Sequence, residues 1–340
     1  MRDLRVAVAG ATGAVGREML KILAERRFPA REVIALASER SEGKKVPYAG
    51  GELRVERLTH ESFEGVDLAL FSAGASRSLE FAPSAVRDGA TVVDNSSAFR
   101  MDPKVPLVVP EVNPDALHSH EGIIANPNCS TIQMVAALKP LHDAARIHRI
   151  VVSTYQAVSG AGQGAIDELA RQVEAHRRSR PAEPSKMPHP IAFNCLPQID
   201  VFLEEGETKE ERKMADETRK ILGEPDLMIS ATCVRVSVFN GHSESVNVEF
   251  ERPLSPEEAR ALLARAPGIQ VVDDPRMSAY PMPLMASGRD PIFVGRVRRD
   301  PSAPNALNLW IVADNLRKGA ALNAVQVGEL LVAKGLLRAA

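Results

Sequence analysis

The sequence predicts an α/β protein of two domains, and three observations predict it. Short apolar runs alternate with helically patterned segments over the first third of the chain. A turn spaced by glycines joins the first apolar run to the first helical segment. Beyond residue 129 the strand candidates lengthen and the helices between them thin out. The 340 residues leave room for about two domains at ~100–200 residues each.

Taken in order, residues 4–9 form a short apolar strand candidate and residues 14–27 have helical spacing. Residues 33–37 and 66–71, the helical segment 79–87 and residues 91–93 continue the alternation. Such alternation predicts a parallel sheet covered on both faces. Pro103, Pro106, Pro110 and Pro114 then punctuate a stretch expected to skirt that sheet. Residues 132–145 read as a helix and 147–158 as a long strand rich in β-branched residues. Residues 227–239, 246–250, 292–297 and 307–312 are further strands. These longer strands predict a mixed or antiparallel sheet, and hence a second domain. The proline-rich segment 178–190 reads as an exposed loop or arm, and residues 316–337 as a helix able to return to the first domain.

Composition narrows the function classes. Forty-two basic residues against 44 acidic ones give a net charge of −2, which argues against a nucleic-acid footprint. The opening MRDLRVAVAG lacks the apolar core of a signal peptide, and no run of about 18 apolar residues appears. Cys129, Cys195 and Cys233 match neither a disulfide framework nor a metal-ligand spacing. A reducing, cytoplasmic setting without a metal is the expectation.

Gly10, Gly13 and Gly16 form GATGAVG between the first strand and the first helix. Glycines there let the backbone turn sharply and approach a pyrophosphate, whose charge the helix N-terminus favours. A tight turn without ligand is the plain alternative, since the spacing is GxxGxxG. After the next strand come Ser38, Glu39, Arg40 and Ser41. Ser38, Arg40 and Ser41 suit a ribose 2′-phosphate, so NADP is expected over NAD, with Glu39 turned to solvent.

Asn126-Pro127-Asn128-Cys129-Ser130-Thr131 places a cysteine at a predicted helix start. Unpaired N–H groups there favour a thiolate, and the polar neighbours on both sides argue against burial. A buried structural cysteine is the alternative, and it is the expectation for Cys195 and Cys233 in their apolar surroundings. Of the eight histidines, His242 follows Phe239-Asn240-Gly241 past a predicted strand end. That position suits projection into a cleft, although a structural histidine fits as well.

GATGAVG, NPNCSTIQ, TYQAVSGAG, PIAFNCLPQID and RVSVFNGHSESV, in this order, resemble the aspartate-semialdehyde dehydrogenase family over essentially the whole chain. NPNCST with GHSES is the specific part. The resemblance implies a Rossmann-like NADP-binding domain over residues 1–128, completed by a C-terminal helix from 316–340. It also implies an α/β catalytic and dimerisation domain over 129–315, and a homodimer. The implied activity is interconversion of β-aspartyl phosphate and aspartate semialdehyde, in lysine, diaminopimelate, threonine and methionine biosynthesis.

The same resemblance implies roles for particular residues. Cys129 would be the nucleophile that forms an acyl-enzyme, His242 the acid/base, and Gln156 the residue orienting substrate. Arg235 would hold the substrate carboxylate, Glu210 its amine, and Lys213 and Arg100 the phosphate, with Asn128 beside them. Gly10, Thr12, Gly13, Ala14, Val15 and Gly16, with Ser38, Arg40 and Ser41, would bind NADP. Ser72, Ala73 and Gly74, with Ser159, Gly160 and Asn315, would line its nicotinamide half. Each has a bland rival: isolated surface cations for Arg100 and Lys213, and a solvated i,i+3 pair for Glu210 and Lys213. Ser237 stands where the pattern leads one to expect proline. The alternatives are an N-acetyl-γ-glutamyl-phosphate reductase-like enzyme, disfavoured by NPNCST, and a non-catalytic paralogue, disfavoured by the presence of both Cys129 and His242.

Overall fold

A computed structural model describes residues 4–338. The chain divides into two compact units, one made of residues up to Asn128 together with those from Ala320 onward, the other of Cys129–Gly319.

The first unit carries β1 (Leu4–Ala9), α1 (Ala14–Glu25), β2 (Ala30–Ala37), β3 (Lys45–Tyr48), β4 (Gly51–Arg57), β5 (Leu68–Phe71), α2 (Ala75–Arg87), β6 (Thr91–Asp94) and β7 (Ile123–Ala125). Its seven strands lie in the order β3-β4-β2-β1-β5-β6-β7. All pairings are parallel except that of β3 with β4. Both faces of the central strands are buried, which is why β1 reads LRVAVA without polar alternation. One face packs on Met19, Leu20 and Leu23 of α1 and on Leu322, Val325 and Leu331 of helix Leu322–Ala333. The other packs on Phe81, Ala82 and Ala85 of α2, with Phe63 stacked on Phe71.

The β3–β4 hairpin is absent from the sequence reading. Its two turn residues, Ala49 and Gly50, have φ of 49° and 82°. A tight turn of this kind normally announces itself as Asn-Gly or Asp-Gly, and alanine in the first place hides the signal.

The second unit carries α3 (Cys129–Ala145), β8 (Ile147–Gln156), α4 (Gln163–Arg177), β9 (Cys195–Leu196), α5 (Lys209–Leu222), β10 (Met228–Val236), β11 (His242–Phe250), α6 (Pro256–Leu263), β12 (Ile269–Val271), α7 (Pro283–Ala286), β13 (Ile292–Arg299) and β14 (Ala306–Ala313). Its sheet runs β12-β13-β14-β11-β8-β10-β9 and is mixed: β8 pairs parallel with β10 and antiparallel with β11. Helix α3 is buried on nearly every side, with Ser130 to Leu138 all inaccessible, so it behaves as a core helix rather than an amphipathic one. Helix α5 starts with a reciprocal cap, in which Thr208 accepts from the Glu211 amide while the Glu211 carboxylate accepts from the Thr208 amide. That cap fixes the first turn, which carries Glu210 and, one step on, Lys213.

Along β8 and β11 alternate residues turn away from the helices. Val151, Ser153, Tyr155 and Ser245 lie on this second face, with the Tyr155 and Trp310 rings 5.4 Å apart. It is half-exposed and apolar in part.

Candidate active site

In the first unit the glycine turn has the form the sequence predicts. Gly10 adopts φ 92°, and a Cβ there would sit 2.4 Å from the Ser72 carbonyl oxygen. A Cβ on Gly16 would fall 2.1 Å from the Gly10 oxygen, so strand, turn and helix close up only without side chains. Gly13 caps α1 with no side-chain acceptor, and the helix has no acid in its first turn. Thr12, Ala14 and Val15 flank these uncapped amides, which suits a pyrophosphate. Ser72, Ala73 and Gly74 follow β5 directly, the first two against Gly10.

Past β2, the Thr12 and Ser41 hydroxyls lie 3.4 Å apart and Ser41 is buried. Ser38 is half-buried and Arg40 exposed. Glu39 projects outward and pairs with Arg57 at 3.4 Å. Following β6, Asp94 accepts from the Ser78 hydroxyl at 2.7 Å and the Ser96 hydroxyl at 2.6 Å. Burial nonetheless pushes its carboxyl up, against those bonds and the charge of Arg100. Arg100 is itself buried and donates to the Asn95 carbonyl at 2.9 Å; it is not a surface cation. Asn126 receives the Asn323 amide at 2.7 Å and donates to Asn95 at 2.6 Å.

Asn126, Asn128, Ser130 and Thr131 are all buried, while Cys129 is half-buried. The sequence reading took these polar neighbours as a sign of exposure. They are instead buried polar groups of a packed segment, as the hydrogen bonds of Asn126 show. A second correction concerns Cys195, which is exposed rather than buried, because β9 is a two-residue edge strand. Cys233 is buried as expected, with burial foremost raising its thiol far above the ordinary range.

In the second unit one cluster gathers Gln156, Glu210, Lys213, Arg235 and His242. Cys129 is the first residue of α3, and a Cβ on Gly319 would come within 3.0 Å of its Cβ. Arg235 is buried, and burial pulls its guanidinium below its ordinary pKa, against the opposing charge of Glu210. Its Nη1 donates to the Ala157 carbonyl at 2.7 Å. The amide of the same Ala157 donates to His242 Nδ1 at 3.0 Å. His242 Nε2 is fully buried, and among the described residues nothing hydrogen-bonds it. A Cβ on Gly160 would lie 2.9 Å from Arg235 Nη1 and 3.1 Å from that Nε2. Burial first, and Arg235 second, hold the His242 imidazole well below its usual range. His242 opens β11 rather than trailing the preceding strand, since β10 already ends at Val236.

Gln156 Nε2 donates to Glu210 at 3.3 Å, and the Lys213 ammonium bridges Glu210 at 3.3 Å and Asp200 at 2.7 Å. The solvated-pair alternative for Glu210 and Lys213 fails, because Glu210 is buried under Gln156. Burial raises the Asp200 carboxyl, but the Lys213 bond and charge outweigh this and hold it below its ordinary value. Ser159 and Asn315 bond each other at 2.9 Å, and Asn315 also accepts from the Gly241 amide at 2.9 Å. Ser237, in the place expected of proline, accepts the Phe193 amide at 2.9 Å.

Ala157 and Asp200 are the parts that sequence reasoning missed. Ala157 acts only through its peptide group, which leaves no trace in residue type. Asp200, within PQID, carried a charge that only the fold brings to Lys213. Among the described residues no group of three or more metal-ligating side chains converges, and no helix is long and apolar enough to cross a membrane.

A glycine turn at an uncapped helix start on one unit, and a cysteine with buried arginine and histidine on the other, are the parts of an NAD(P)-dependent aldehyde dehydrogenase. Residues 5–120 match the NAD-binding domain of semialdehyde dehydrogenases and residues 138–318 their dimerisation domain. The chain is 58% identical to an aspartate-semialdehyde dehydrogenase of Aquifex aeolicus, covering 98% of this chain and 99% of that one. It is 53% identical to that of Bacillus subtilis, covering 97% and 98%. Among solved structures, aspartate-semialdehyde dehydrogenase II of Vibrio cholerae in complex with ASA superposes with a TM-score of 0.95 at 50% identity, covering 98% and 99%. The chain belongs to the aspartate-semialdehyde dehydrogenase family.

Proposed function

We propose that this chain is a phosphorylating aldehyde dehydrogenase that interconverts aspartate semialdehyde and β-aspartyl phosphate through a thioester on Cys129. The observation that carries the reading is a buried, unsatisfied His242 Nε2 beside Arg235, whose guanidinium in turn faces Cys129. Orphaned buried polar atoms are rare and point to a ligand. The full-length relatives bear the same name at 47–58% identity, and no observation favours the N-acetyl-γ-glutamyl-phosphate reductase reading or a non-catalytic one.

Cys129, at the start of a 17-residue helix and facing a guanidinium, is placed to attack as the thiolate. Arg235 and Glu210 would take the substrate's carboxylate and amine, with Gln156 orienting the carbonyl. Lys213, Arg100 and Asn128 would take the phosphate. His242 serves the reacting oxygen. The nicotinamide cofactor supplies hydride chemistry when bound. The uncapped turn from Gly10 to Gly16 would hold its pyrophosphate, with Ser72, Ala73, Gly74, Ser159, Gly160 and Asn315 lining the nicotinamide side. Ser38, Arg40 and Ser41, with Glu39 turned away, favour NADP over NAD; the aspartate-semialdehyde dehydrogenase of Candida albicans, 27% identical with a TM-score of 0.78, has a crystal structure with NADP. The half-exposed face of the second sheet, in the part matching the dimerisation domain, would pair two copies as a homodimer. The place of the reaction is the synthesis of lysine, threonine and methionine.

The assay is phosphate-dependent reduction of NADP⁺ by aspartate semialdehyde, with N-acetylglutamate semialdehyde as the competing aldehyde. Cys129→Ala should bind cofactor normally and lose all but about 1% or less of turnover. Turnover that survives this change sinks the thioester route.

A further inference from the structure

Beneath the cluster around Arg235 the second sheet carries another buried polar row. The register on β8 sets Cys233 of β10 and Glu244 of β11 on either side of Thr154, and all three are inaccessible. One step further from the cluster, Val152 beside Val246 returns to apolar packing. His242 and Glu244, two apart on β11, share a face of the strand. On α3, Gln133 stands four residues after Cys129 and therefore on the same side of the helix. Its Nε2 donates to the His242 carbonyl at 3.4 Å. Gln133 Oε1 and both Glu244 oxygens are buried, and among the described residues nothing hydrogen-bonds them. The Gln133 amide nonetheless lies close enough to act on the Glu244 carboxyl.

We propose that Glu244 is a protonated acid paired with the Gln133 amide, and that this pair is a rung between α3 and β11 which positions Cys129 and His242 one step above it. The proposal rests on the thioester reading above and deepens it. Three buried acceptors face one another here, and a donor must be found for them. An amide side chain has two N–H donors and one acceptor; a carboxylate has acceptors only, whereas the neutral acid adds one O–H donor. The His242 carbonyl fixes which amide atom faces β11, since only Nε2 can donate to it. With Glu244 protonated, its O–H donates to Gln133 Oε1 and its carbonyl oxygen accepts one Nε2–H, while the other Nε2–H continues to His242. Every orphaned atom is then satisfied. An ionised Glu244 would instead set negative oxygens against Gln133 Oε1 and open the rung.

The groups around Glu244 agree with this. On its own strand, burial and Arg235 hold His242 well below its usual range, so the imidazole is no counter-ion. Its neighbours in the row are Thr154 of β8 and Ile311 of β14, neither of which carries charge. The Cys233 thiol of β10 is kept protonated by burial. The acids of α5 are engaged elsewhere: Glu210 holds Lys213 and Gln156, and Glu211 takes the Thr208 and Cys233 amides. Burial and Gln133 are the influences on the Glu244 carboxyl, and no cation is among them.

Two measurements test it. In infrared difference spectra of the ligand-free protein at about pH 7, wild type minus Glu244→Gln should show the C=O stretch of an un-ionised carboxylic acid. A carboxylate signal in its place overturns the proposal. In turnover, Glu244→Met removes the rung and should lower kcat about 100-fold, the scale of a displacement on the order of 1 Å, with KM for aspartate semialdehyde within about twofold of wild type. Glu244→Gln restores both a donor and an acceptor and should recover at least about tenfold of that loss. The double variant Gln133→Met, Glu244→Met leaves no polar group unpaired, so it should melt close to wild type and still turn over as slowly as Glu244→Met. A double variant with wild-type kcat, or a glutamine variant no better than methionine, sinks the positioning role. The infrared arm needs no substrate; failure of the functional reading would show instead as a wild-type protein inert toward aspartate semialdehyde.

Discussion

Glu244 shows how a single carboxyl ties the site to pH. It lies two residues beyond His242 on the same face of β11, is fully buried, and among the described residues neither oxygen has a hydrogen-bond partner in the structure. Burial pushes its pKa well above the ordinary value of 4.5, against a weaker opposing influence of Gln133. The folded state therefore binds this proton more tightly than the unfolded chain does. The stability it contributes is complete below about pH 4.5 and is lost as pH climbs toward the raised folded value. Glu244→Gln should match the wild type in urea midpoint near pH 4 and exceed it at pH 8. Equal midpoints at both pH values would mean that Glu244 is ionised and satisfied in the fold. The place of Cys129 at a helix start, by contrast, was legible from Pro127-Asn128 and the apolar run that follows, and the structure begins α3 there. Asn128, Ser130 and Thr131 misled in the same segment, since a polar side chain says nothing of whether the fold buries it.

At the scale of elements, the short turn from Val158 to Ala161 controls the cluster more than any helix does. Gly160 has an ordinary backbone conformation, so its lack of a side chain matters for space, not for strain. A methyl there meets Arg235 Nη1 at 2.9 Å and His242 Nε2 at 3.1 Å, and both groups are already fixed by Ala157. Gly160→Ala should cut kcat about 100-fold, because a displacement on the order of 1 Å in such groups costs about that much. Its melting temperature should stay within a few degrees of wild type. A fully active variant would show that the pocket yields at no cost. The glycine turn at Gly10 was readable because three glycines at a strand–helix junction have few other uses. The β3–β4 hairpin was not, because Ala49 takes a conformation that its residue type rarely adopts.

At the scale of the whole molecule, the described residues form two sheets of seven strands each. The parallel sheet follows from continuous apolar strands with helices between them, and that pattern survives in the sequence. The mixed sheet was legible as longer strands but not in its order, since antiparallel and parallel neighbours such as β11 and β10 on β8 depend on pairings distant along the chain. Cofactor choice belongs to this scale as well. Arg40 is exposed, and Glu39 is turned outward onto Arg57; the proposed preference for NADP assigns that cation, with the Ser38 and Ser41 hydroxyls, to the 2′-phosphate. Arg40→Ala should raise KM for NADP by about tenfold or more, the worth of a charge-assisted bond, with KM for NAD nearly unchanged. Parallel loss with both cofactors would remove Arg40 from the discriminating group.

The Ala157 peptide has a consequence for how such an enzyme is dissected. Its carbonyl grips one functional side chain and its amide another, yet a scan that truncates side chains passes over it, because there is only a methyl to remove. Editing the main chain itself reaches it. Lactic acid incorporated at position 157 turns the amide into an ester, exchanging the donor N–H for an oxygen and unlocking the imidazole's tautomer while every side chain stays in place.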